Sequence, residues 1–120
     1  MYTEQDFHWL NEYISKFSRL IVTPQVLAES WNFLEKIEEK NFQKFLLYIK
    51  PTLYLFDEDY THKNELFKST GFDYIGITDM SIIFAAKKLG CLVFTDDLRA
   101  YSYFAANEVM ALNINHLRQI

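Results

Sequence analysis

Carboxylates recur in this sequence where apolar strands would hand over to helices, an arrangement suited to metal-assisted phosphate chemistry. Glu29 lies in Gln25-Val26-Leu27-Ala28-Glu29, shortly after the apolar run Leu20-Ile21-Val22. Asp79 follows Ile77-Thr78, and Asp96 and Asp97 follow Val93-Phe94-Thr95. Hard carboxylate oxygens grouped in this way suit Mg2+ or Mn2+, which bind through a few carboxylates and keep several waters. Such an ion polarises a phosphoryl oxygen and makes a water nucleophilic near neutral pH. Gln25, Glu29 and Asn32 fall at i, i+4 and i+7, one polar stripe on a helix. Each carboxylate taken singly also has an ordinary role. An acid in the first turn of a helix complements the macrodipole by ~0.3–1 kcal/mol, and Glu29 serves equally well as an exposed helix residue. The recurrence at three strand ends is what favours a site.

The elements that must position these residues can be read from the same sequence. Thr3-Glu4-Gln5-Asp6 resembles a capping box and opens a helix to about Phe17, with Phe7, Leu10, Ile14 and Phe17 as its apolar stripe. Leu20–Val22 reads as a strand that passes into a helix with Thr23 at the N-cap and Pro24 at N1, continuing to about Leu34. A charged helix is expected from Glu35 to about Ile49, ending before Pro51, and then a strand over Thr52–Phe56. Helix is expected over about Thr61–Ser69, and over Asp79–Leu89 with Gly90 as its stop. A strand at Cys91–Phe94, a helix from Asp97 to about Asn107 and a strand at Val109–Ile114 complete the series. Strands alternating with helices predict parallel pairing, and the fold class is a three-layer α/β/α sandwich with a mostly parallel sheet. In such a sheet ligands bind outside the carboxyl ends of the strands, where Glu29, Asp79, Asp96 and Asp97 fall.

Composition narrows the functional classes. With 120 residues, half of them hydrophobic, the chain is expected to form a single domain spanning 1–120 that buries its own core. The lone Cys91 fits a reducing, cytoplasmic setting. The polar start lacks the apolar segment of a signal peptide, and no apolar run reaches membrane-spanning length. A formal charge of −4 advertises no broad basic groove, and Lys87, Lys88, Arg99 and Arg118 are scattered. No Gly-rich phosphate loop occurs, and His8, His62 and His116 lack zinc-ligand spacing with one another or with Cys91. Tyr101, Tyr103 and Phe104 fit a core better than an exposed binding surface.

The words around the carboxylates add a resemblance. Ile21-Val22-Thr23-Pro24-Gln25-Val26-Leu27-Ala28-Glu29, Gly76-Ile77-Thr78-Asp79-Met80-Ser81-Ile82-Ile83 and Leu92-Val93-Phe94-Thr95-Asp96-Asp97 resemble, in order, the three downstream motifs of PIN domains, the family of VapC-like toxins and other metal-dependent ribonucleases. The resemblance runs from about Thr3 to Arg118. It implies Glu29, Asp79 and Asp97 as metal ligands and catalytic acids, Thr95 as the supporting hydroxyl of a Thr-x-Asp pattern, and Asp96 in the variable place between them. It implies Mg2+ or Mn2+, an RNA substrate and, by analogy, an antitoxin partner. PIN domains open on a central strand ending in Asp-x-Asn, whereas this sequence opens after that element, so the domain is expected to be N-terminally incomplete. Asp6, without a preceding strand, is no substitute. The strand would lie between Leu20–Val22 and Cys91–Phe94, and its absence leaves two strand edges for a homo-oligomer or a strand-donating partner to cover. The expectation is a toxin-type endoribonuclease that is active when the missing Asp is supplied; the alternative is a non-catalytic PIN-like module that binds protein or RNA.

Overall fold

Every strand pairing among the described residues of the computed structural model, 4–36 and 38–117, is parallel. The elements run α1 (Glu4–Ile14), β1 (Ile21–Val22), α2 (Pro24–Leu34), α3 (Glu39–Leu53), β2 (Asp57–Glu58), α4 (Lys63–Lys68), α5 (Phe72–Ile75), α6 (Ile77–Leu89), β3 (Val93–Thr95), α7 (Leu98–Ala106), β4 (Ala111–Asn113) and α8 (Ile114–Leu117). Helices alternate with parallel strands, as the α/β reading requires. The strands form two separate pairs, β1 with β2 and β3 with β4, rather than one continuous sheet. Ile21 stands opposite Asp57, and Val93 opposite Ala111. No helix among the described residues is long and apolar enough to cross a membrane.

Local chemistry explains most of the boundaries. Thr23 is extended and its hydroxyl accepts the Val26 N–H at 3.3 Å, with Pro24 in the first helical turn where its missing N–H costs nothing. Gly90 ends α6 at φ 66, the left-handed cap that a side chain would resist. His62, which the sequence placed inside the helix over about Thr61–Ser69, instead caps α4 by accepting the Asn64 N–H on Nδ1. The capping box expected at Thr3 lies outside the described residues, as do the side chains of Phe7, Leu10 and His116 and the whole of Arg118.

Several boundaries differ from expectation. The first helix ends at Ile14 rather than near Phe17, because Lys16 and Phe17 bond back to Tyr13 and Ile14 in a tightening turn. The charged helix starts at Glu39, not Glu35, because Glu35 closes the last turn of α2 on Trp31 and Glu38 is extended. That helix also passes through Pro51 to Leu53. A proline in the last turn forfeits one backbone bond, and the Tyr54 N–H reaches past it to the Lys50 carbonyl at 3.2 Å. The strand predicted over Thr52–Phe56 is therefore displaced onto Asp57–Glu58. Asp57 and Asp59 donate their N–H groups to Leu20 and Val22 at 2.8 and 2.9 Å. An outer strand tolerates these exposed acids, and Arg19 pairs with Asp57 there.

The core is asymmetric along the chain. Leu66, Ile75, Met80, Ile83, Ala86, Val93, Ala100, Phe104 and Val109 form one cluster, all from the second half of the sequence. Helices α2 and α3 contribute no fully buried residue. Two polar ties attach the first half. Lys88 reaches Asp59 at 3.2 Å and donates to the Tyr60 carbonyl and the Thr61 hydroxyl. The buried Thr23 and Ser81 hydroxyls meet at 2.9 Å, joining α2 to α6.

Candidate functional site

The three carboxylates arrive from three elements. Glu29 lies in the middle of α2 and is exposed. Asp79 sits in the first turn of α6 and is half-buried. Gly76 precedes that helix at φ 88, a conformation that a residue with a Cβ adopts only under strain, and so sets where α6 and Asp79 begin. Asp97 follows β3 and is the N-cap of α7, its Oδ1 accepting the Arg99 and Ala100 N–H groups at 2.8 and 3.2 Å. Thr95 fixes this turn, its hydroxyl accepting the Asp97 N–H at 3.1 Å.

Electrostatics bring the three into one field. The Asp79 carboxyl is pushed above its usual pKa, first by burial, then by the charges of Asp97 and Glu29, with Arg99 opposing. Glu29 and Asp79 take no hydrogen bond or ion pair among the described residues, and the Arg99 charge offsets only part of the repulsion at Asp79. Among the described residues, however, no three His, Cys, Asp or Glu side chains converge as a metal-holding group. Asn32 lies one turn beyond Glu29 and is exposed, with no bond tying it to the other three. Asp96 is exposed, and its carbonyl accepts the Asn115 side-chain N–H at 2.9 Å. The donor set fits a hard divalent cation: oxygen ligands only, one of them held charged at a cost that a cation would relieve.

Sequence reasoning missed two features beside the carboxylates. Arg99 was one of several scattered cations, but in the fold its charge acts on both Asp79 and Asp97. Its Nε donates to the Tyr103 hydroxyl at 2.8 Å, and its guanidinium lies 5.7 Å from the centre of that ring. Tyr103 in turn donates to the Tyr74 carbonyl at 3.3 Å. The sequence signal was an arginine two residues past an N-cap aspartate, too common to stand out. The second feature is a hydroxyl relay. Ser81 donates to the Thr78 carbonyl at 2.6 Å, which spends its only hydrogen, so Thr23 must be the donor between the two hydroxyls. A lone serine in the apolar run from Met80 to Ala86 was its trace.

Other candidates resolve into structure. Phe104 is a core residue, 1% exposed, and Tyr103 packs against the same cluster. Lys88 is committed to its tie with Asp59, Tyr60 and Thr61. Cys91 is a free, half-buried thiol just before β3 rather than a fully buried strand residue.

A family model for the PIN domain matches residues 2–105. The chain belongs to the PIN domain family, which assigns it a nuclease-type fold. No curated protein and no solved structure matches it.

Proposed function

We propose that residues 1–120 form one PIN domain acting as a divalent-metal-dependent endoribonuclease of toxin type, with RNA phosphodiesters as substrate and an antitoxin as protein partner. The observation that carries this is the Asp79 carboxyl, raised above its usual pKa by burial and by the charges of Asp97 and Glu29. Glu29, Asp79 and Asp97 would hold Mg2+ or Mn2+ as oxygen ligands. The bound ion supplies Lewis-acid polarisation of the phosphate and a water that is nucleophilic at neutral pH. Thr95 and the α7 cap keep Asp97 in place, and Arg99 binds a phosphate oxygen of the RNA backbone.

The test is RNA cleavage with Mn2+, paired with calorimetry of Mn2+ binding. Asp79→Asn and Asp97→Asn should each abolish both, while Asp97→Asn keeps the α7 cap because an amide oxygen accepts the same N–H groups. Cleavage that continues in EDTA, or in Asp79→Asn, overturns the reading. A second reading, a non-catalytic module that binds RNA or protein, is favoured by the lack of convergence of any three ligands among the described residues. It requires RNA or protein binding with no sub-millimolar Mn2+ site.

A further inference from the structure

Tyr74 is 65% exposed, yet its ring is held on two sides. Its hydroxyl end lies against Gly71. A Cβ at Gly71 would stand 3.1 Å from the Tyr74 hydroxyl and 3.3 Å from the ring carbon that carries it, so the ring uses space that a glycine leaves. On another side the ring meets Tyr103, with centroids 6.3 Å apart and planes at 54°. At that tilt Tyr103 braces the ring without stacking over its face. Tyr103 is itself fixed. It packs against the core cluster, accepts the Arg99 Nε–H at 2.8 Å and donates to the Tyr74 carbonyl at 3.3 Å. That last bond joins α7 to the segment leading into α6, and Asp97 and Asp79 stand at the N-terminal ends of those two helices. Arg99 is exposed, and its guanidinium lies 5.7 Å from the centre of the Tyr103 ring. With Nε spent on Tyr103, the donors on its two terminal nitrogens are left for another partner.

We propose that Tyr74 is a stacking platform for one unpaired base of the RNA, with Arg99 taking a phosphate oxygen of the same strand. A nucleotide carries a flat π face and an anionic oxygen in one small unit, and an aromatic ring beside a guanidinium answers both. An apolar protein segment would cover the ring but bury the cation beside it without an anion, which is costly. A base inside a duplex has its faces covered by its neighbours, so the platform takes a single-stranded or looped-out position. Because the ring is already braced, stacking forfeits little side-chain freedom. The inference rests on the RNA reading of the site and adds to it a residue that grips a base rather than a metal.

The test is fluorescence anisotropy with a short labelled oligoadenylate, in EDTA so that binding is read apart from cleavage, and at one fixed salt concentration. Tyr74→Ala should weaken binding by about tenfold, and Tyr74→Phe, which keeps the ring, should bind as the parent does. An abasic strand of the same length should bind the parent and Tyr74→Ala equally, because it offers phosphates and no base. Equal affinity of the parent and Tyr74→Ala for oligoadenylate overturns the proposal. An equal loss on the abasic strand also overturns it, by assigning the effect to phosphate contact or altered folding. Failure of the parent to bind oligoadenylate overturns it in favour of a protein contact at this ring. Cleavage with Mn2+ is measured separately on the same proteins. Weaker binding by Tyr74→Ala with no cleavage by the parent would keep the platform and reject the nuclease; cleavage by the parent with unchanged binding by Tyr74→Ala would do the reverse.

Discussion

Asp79 is the residue at which folding and function pull in different directions. Its pKa is raised by burial and by Asp97 and Glu29, so between the ordinary carboxylate pKa of about 3.9 and the raised value the folded state holds more protons than the unfolded one. Stability contributed by this group therefore falls as pH rises through that window, and the full penalty is present at neutral pH. Asp79→Asn should raise the melting temperature at neutral pH in metal-free buffer, and the gain should shrink to nothing as pH falls below the ordinary value. A denaturation series across pH checks this, and a gain that grew on acidification would contradict the assigned cause. Added Mn2+ should stabilise the parent chain and not the variant. Asp97 behaves differently, since its carboxylate has a structural duty: Asp97→Ala should cost about 0.5–2 kcal/mol of stability as a lost cap, over and above any loss of activity.

At the scale of elements, the contact between α2 and α6 is specified by the relay from Thr23 through Ser81 to Thr78. Ser81→Ala leaves the Thr23 hydroxyl buried without an acceptor and should cost about 1–3 kcal/mol in urea denaturation. Adding Thr23→Val should cost less than the sum of the two single changes, because the second change removes the orphaned donor. Thr23-Pro24 and Gly90 were legible in the sequence because each acts on its own backbone, so their helix ends were found. Pro51 misled for a related reason. Its local veto on helix is weak in a last turn, and the pairing of Asp57 with Leu20 that fixes the strand lies 37 residues away. The carboxylates were legible through their strand-end positions and the surrounding motif words. Arg99 was not, because nothing local to it shows that Asp79 shares its surroundings.

At the scale of the molecule, the chain is less compact than its length requires. The radius of gyration is 15.1 Å, against roughly 13.6 Å for a compact chain of this length. The core cluster does not extend to β1 and β2, and the first half rests on the second through the two polar ties and the packing of Tyr13 and Phe17 against Phe94. Native-state hydrogen exchange should accordingly find α6, β3 and α7 exchanging only through global unfolding, with α2 and α3 opening by a cheaper, partial route; equal protection in both halves would count against this division. The same asymmetry acquires a direction during synthesis. Every member of the core cluster lies between Leu66 and Val109, so β1 and β2 leave the ribosome before the surface they rest on exists. At about 5–20 residues per second the gap between Glu58 and Val109 lasts roughly 3–10 s. For that interval the first half of the chain has no core to rest on, so its lasting structure waits on the synthesis of the second.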